Sequence, residues 1–74
     1  MQVGKLYRLR QAALSLPPGT IIMYLGPTQK LMDDGTSELW WHAFLAPSGE
    51  VKSIYHVGKD LNNNTLATEL YEPV

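Results

Sequence analysis

The chain has 74 residues, no cysteine, and a formal net charge of −1 from six Lys and Arg against seven Asp and Glu. One domain of this length buries only about 60% of the surface its unfolded chain exposes, so it sits near the limit of independent stability. The composition excludes a disulfide framework and a thiolate metal site. The near-zero charge gives no general pull toward nucleic acid or an anionic membrane.

Small secreted domains usually lean on disulfides, so a cysteine-free chain is expected in a reducing cytoplasm. Met1 to Lys5 has no apolar run behind its charge and is not expected to act as a signal peptide. The longest apolar run, Ile21 to Leu25, is far too short to span a bilayer. There is no internal repeat or linker, and residues 1–74 are expected to form a single β domain.

The apolar pattern has period two almost throughout, with turn signals every eight to twelve residues, which predicts an all-β fold. In chain order, the first strand is predicted over Val3 to Arg10. Gln11 to Leu14 has helix-forming residues, but Pro17 limits it to a single turn. After Pro17-Pro18-Gly19, a second strand runs Thr20 to Leu25, bends at Gly26-Pro27 and continues from Thr28 to Met32. The third covers Ser37 to Ala46, the fourth Val51 to Val57 and the fifth Leu66 to Tyr71. Gly58 to Asn62 suits one 3₁₀ turn.

Two turns set the register. Ala46-Pro47-Ser48-Gly49-Glu50 fits a type I turn followed by a left-handed glycine, which pairs Ala46 with Glu50. Counting back, Leu45 meets Val51, Trp41 meets Tyr55 and Trp40 meets His56. Met32-Asp33-Asp34-Gly35-Thr36 has the same layout and would pair Met32 with Thr36 and Lys30 with Glu38. Tyr24 then faces Phe44, provided that Gly26-Pro27 adds no bulge.

Strands alternate their side chains between two faces. One face collects Met23, Leu25, Leu39, Trp41, Ala43, Leu45, Val51, Tyr55 and Val57, and is expected to be the core. The other carries Tyr24, Trp40, His42, Phe44, Lys52, Ile54 and His56, and is expected to be a partner-binding surface, because Trp and Tyr dominate interface hot spots. The competing expectation for Tyr24, Trp40 and Phe44 is that sharply bent strands close part of this face into a barrel.

Five strands in meander order, with one helical turn before the last, resemble the small SH3-like barrels. The matching segments are Leu16 to Met23 entering the second strand, the long strands around Trp40-Trp41, the Pro47-Ser48-Gly49 turn, and Gly58 to Asn62 leading into the last strand. The resemblance is to the fold and covers nearly the whole chain. The chain lacks the acidic loop and the alanine-leucine-tyrosine opening of signalling SH3 domains, so proline-rich ligands do not carry over. It also lacks a KOW-type glycine pattern. The expected architecture is a five-stranded SH3-like barrel or a strongly twisted meander with at most one or two short helical turns.

The remaining polar clusters have simpler readings than catalysis. His42 and His56 share a face, but no further ligand accompanies them, so no metal is expected. Asp33 and Asp34 fill a turn that favours Asp and Gly. Lys5, Arg8 and Arg10 form a possible basic patch, although Glu69 and Glu72 near the other end favour cross-strand charge pairs between the first and last strands. Asn63-Asn64-Thr65 matches the glycosylation pattern but reads more simply as a polar loop. No nucleophile has an evident base, and no cofactor motif is present. A non-enzymatic protein-interaction module, docking a partner protein or itself, is therefore the leading expectation. The alternative is a nucleic-acid-binding barrel with bases on Trp40 and Phe44 and phosphates on Lys5, Arg8, Arg10 and Lys52.

Overall fold

The structure, a computed structural model, describes residues 1–74 apart from the side chain of Asn63. Five antiparallel strands form one sheet: β1 (Leu6–Leu9), β2 (Ile21–Asp33), β3 (Glu38–Leu45), β4 (Val51–Val57) and β5 (Tyr71–Pro73). Their spatial order is β4-β3-β2-β1-β5, so β4 and β5 are the two edges. The sheet is open and barrel-like in outline. Its first and last strands in sequence do pair, with Arg8 opposite Glu72 and Leu9 opposite Tyr71.

The Pro47-Ser48-Gly49 turn forms as its chemistry requires. Ala46 N donates to Glu50 O at 2.9 Å, Gly49 N donates to Ala46 O at 2.9 Å, and Gly49 adopts φ +89°. The β3–β4 register follows from it without a slip, from Leu45 opposite Val51 to Leu39 opposite Val57. Tyr24 also faces Phe44, as expected.

The β2–β3 register then departs from the expectation. Shifts fall between Tyr24 and Gly26, between Pro27 and Gln29, and between Lys30 and Met32. Each inserts one extra residue into β2 (Leu25, Thr28 and Leu31), the signature of a β-bulge, which adds local twist. Gly26 makes the first bulge possible: it holds φ +108°, and a Cβ there would lie 3.1 Å from Val3 Cγ2. In consequence Met32 faces Leu39 rather than Thr36, and Lys30 faces Trp40 rather than Glu38. Lys30 still approaches Glu38, with Nζ 3.8 Å from Oε1. The turn itself is closed further along. Asp34 N donates to Ser37 O, and the Asp34 carboxylate accepts from the Thr36 and Ser37 amides at 3.0 and 2.8 Å.

Two expected elements change type. Leu66 to Leu70 is not strand but the body of a short helix, α1 (Thr65–Leu70), and the fifth strand begins only at Tyr71. Asn64 nucleates the helix by accepting from Ala67 N at 2.9 Å, an N-cap that satisfies one orphan amide. The 3₁₀ turn expected over Gly58 to Asn62 starts later, at Leu61–Asn63, capped by Asp60. Gln11 to Leu14 makes no helix. Ala13 and Leu16 instead bond to each other across Leu14 and Ser15, which hold φ +58° and +62°.

The core lies on the face opposite to the one expected. Tyr7, Leu9, Ile22, Tyr24, Phe44, Leu61, Ala67 and Tyr71 are buried together, with Leu14, Ile54 and Leu70 packed against them. The aliphatic face of β2–β4 points outward, although Ala43 on it is buried as expected. Val51, Tyr55 and Val57 keep 58%, 55% and 53% of their surface exposed, and Leu39 and Trp41 are half-buried.

Candidate functional site

The inward face of β2, β3 and β4 meets Tyr71 at the start of β5. Five rings there form a closed cycle. Tyr24 lies 5.3 Å from Phe44, Phe44 4.9 Å from Tyr71, Tyr71 5.7 Å from His56, His56 5.9 Å from His42, and His42 6.0 Å from Tyr24, all between centroids. Both histidines are buried, His42 completely. Burial of a polar ring is tolerated when its nitrogens are hydrogen-bonded, and three of the four are. The Gly58 carbonyl lies 3.0 Å from His42 Nε2 and can only accept, so Nε2 carries the proton. His42 Nδ1 is therefore a bare acceptor, and the Tyr24 hydroxyl donates to it at 2.8 Å. His56 Nε2 and the Tyr71 hydroxyl are hydrogen-bonded at 2.8 Å. His56 Nδ1 has no partner among the described residues.

This pairing spans the open side of the sheet. His56 lies on edge strand β4 and Tyr71 on edge strand β5, so a side-chain bond joins two edges that no backbone ladder connects. Asn64 Nδ2 adds a second tie by donating to Val57 O at 2.7 Å. Burial holds both histidines below the ordinary histidine value. The proximity of His42 lowers His56 further, and the Gly58 carbonyl partly offsets the effect at His42. Burial pushes the Tyr24 hydroxyl up to about 12, with Asp60 and Tyr7 adding, and pushes Tyr71 up as well. Both rings and both hydroxyls are therefore neutral near pH 7.

Of the residues expected to meet a partner, Tyr24, His42, Phe44 and His56 are thus buried in the core, and Ile54 packs half-buried against it. Trp40 is half-buried near the far end of the same face. Its Nε1 donates to Glu38 Oε2 at 2.7 Å, and Lys59 Nζ stands 5.2 Å from the centre of its ring. Lys52 is half-buried and pairs with Glu50 at 3.0 Å. With Phe44 enclosed, Trp40 and Phe44 do not make an exposed stacking platform.

Arg8 and Arg10 converge on Glu72, at 3.0 and 3.7 Å, which is the cross-strand pairing anticipated for the two ends of the chain. Lys5 is exposed. Asp33 and Asp34 serve the β2–β3 turn. The Asp34 carboxyl is lowered to about 2 because the amides of Ser37 and Thr36 donate to it. Among the described residues no group of three His, Asp or Glu is placed to hold a metal ion. No helix is long and apolar enough to cross a membrane. The side chain of Asn63, on which the glycosylation pattern depends, lies outside the described residues.

The outward face is the surface that periodicity mistook for core. Its rows run across the strands: Leu6, Met23, Leu45 and Val51 in one, Gln29, Trp41 and Tyr55 in another, Met32, Leu39 and Val57 in a third. Trp41 and Tyr55 touch edge to face at 5.5 Å between centroids. The charged residues of β2 to β4 (Lys30, Asp33, Glu38 and Lys52) all fall at inward register positions. The outward face of these three strands therefore carries no formal charge. The signal was present in the sequence, since both faces are apolar enough to be buried and only one can be.

No family model matches the chain, and no curated protein or solved structure shows a significant similarity to it.

Proposed function

We propose that this chain is a small non-enzymatic protein-interaction module of the SH3-like barrel kind, a cytoplasmic accessory protein that docks another protein chain through the outward face of β2–β4. The observation that supports this reading is an uncharged, largely apolar face, interrupted by Gln29 and Ser53, with Trp41 and Tyr55 in contact on it. Contiguous apolar patches beyond a few hundred Å² are uncommon on monomers and mark contact surfaces, and Trp and Tyr are the commonest hot-spot residues. Lys52, His42 and His56, expected on the partner-binding surface, take no part in this face.

A photo-crosslinking residue placed at position 55 tests the proposal, with position 69 on the exposed side of α1 as control. Position 55 is expected to yield protein adducts in cells and position 69 to yield few. Equal yields from the two positions would sink the reading.

A further inference from the structure

We infer that the occupant of this face is a second copy of the same chain, packed sheet against sheet about a two-fold axis. The inference rests on the docking role proposed above and adds the partner.

Charge is the first argument. In a two-fold interface each patch meets itself, so any charge on it meets a like charge or must be offset within the patch. The outward face of β2–β4 has none, because Lys30, Asp33, Glu38 and Lys52 stand at inward positions of the register. A face shaped for a different chain would ordinarily carry charges complementary to that chain, which set orientation and encounter rate.

Area is the second. Met32, Val51, Tyr55 and Val57 each keep 53–58% of their surface. With the half-buried side chains around them, they leave an exposed apolar area on the order of several hundred Å², approaching the ~800 Å² that each partner contributes to a standard stable interface. The third argument is size. Oligomerisation is a usual supplement for chains too short to build a sufficient core and without disulfides, and here part of the small interior is given to two imidazoles.

Stacked sheets of this kind lie ~10 Å apart with their strand directions within about 30°. Trp41 and Tyr55 of each copy would fill the middle of such a sandwich. An edge-to-edge dimer is the competing arrangement. Alternation of the β3–β4 ladder leaves the amides and carbonyls of Val51, Ser53 and Tyr55 pointing away from β3.

Light scattering of the purified protein across a concentration series tests the inference. Twice the chain mass is expected at high concentration. Tyr55→Lys combined with Val57→Lys should raise the dimer dissociation constant at least ~30-fold, as loss of a central hot spot does, with an unchanged circular dichroism spectrum. Glu69→Lys should leave the mass as it is. Isotope-filtered nuclear Overhauser spectra of mixed labelled and unlabelled wild-type protein should show contacts between outward-face side chains of the two copies, Trp41, Tyr55 and Val57 among them, a readout that needs no variant. A monomer at every concentration overturns the second copy, while foreign-protein adducts from position 55 would still uphold the docking face. A dimer lacking those intermolecular contacts overturns the face-to-face arrangement.

Discussion

His42 and His56 make stability depend on pH. Around them stand Tyr24 from β2, Tyr71 from β5, the Gly58 carbonyl and, near Tyr24, Asp60 and Tyr7. The unfolded chain takes up protons on these rings as pH falls through about 6.5, while the folded chain resists until lower values. Unfolding therefore binds protons in that window. Stability is level above neutrality and is lost as pH falls below the unfolded value, by up to about 1.4 kcal/mol per pH unit for each histidine. Protonated His56 would also bury an Nδ1–H without an acceptor among the described residues. Urea midpoints measured near pH 7.5 and near pH 5 check this. A midpoint that does not move would show that the rings are solvated in the folded protein, and His56→Phe should reduce the dependence to the share of His42. Asp34 acts in a separate window. Its depressed carboxyl contributes stability that is lost only as pH falls from about 3.8 toward about 2.

At the level of elements, α1 depends on Asn64, whose side chain accepts from Ala67 N and donates to Val57 O. Asn64→Ala should cost about 1–2 kcal/mol, since it removes an N-cap together with a tie to β4. Thermal melts at matched protein concentration measure it, and a loss below a few tenths would mean that the helix is held by packing alone. The turn at Leu14-Ser15 predicts the opposite sign. Two non-glycine residues there adopt left-handed conformations, each disfavoured by roughly 1–2 kcal/mol. Ser15 is exposed, so Ser15→Gly should raise stability by about 0.5–1 kcal/mol after the entropy cost of glycine. These two elements were also the ones misread. Leu66-Ala67-Thr68-Glu69-Leu70 has too few residues for a period to show, and the Asn64 cap that decides it as helix is a single side chain. Helix propensity in Gln11 to Leu14 lost to the bridge between Ala13 and Leu16.

The molecule as a whole measures 36 × 22 × 20 Å, and the β2–β3 pairing continues past the enclosed rings to Asp33 opposite Glu38. There Met32, at an outward register position, and the bulge residue Leu31 are exposed. If two copies share this face, folding and association are linked, and the melting temperature must rise with protein concentration. A melting temperature constant over a hundredfold dilution, on the order of 1 mM to 10 μM, would contradict the linkage. Salt should matter little to that association, because no formal charge lies on the outward face of β2–β4.

Turn chemistry and alternation were legible without coordinates. Pro47-Ser48-Gly49 dictates the β3–β4 register, and a strand's period of two then decides which side chains travel together. The Tyr24–His42–Phe44–Ile54–His56 set and the Leu39–Trp41–Val51–Tyr55–Val57 set could both be read in this way. Which set faces inward could not, because each is apolar enough to be buried and local pattern is symmetric between them. Elements distant in sequence break that symmetry. Tyr7 and Leu9 from β1, Leu61 and Ala67 after β4, and Tyr71 from β5 close over the aromatic set alone. The Tyr24 and Tyr71 hydroxyls then satisfy ring nitrogens whose burial would otherwise be prohibitive. The free energy that decides which face is buried thus belongs to contacts between residues up to about sixty positions apart.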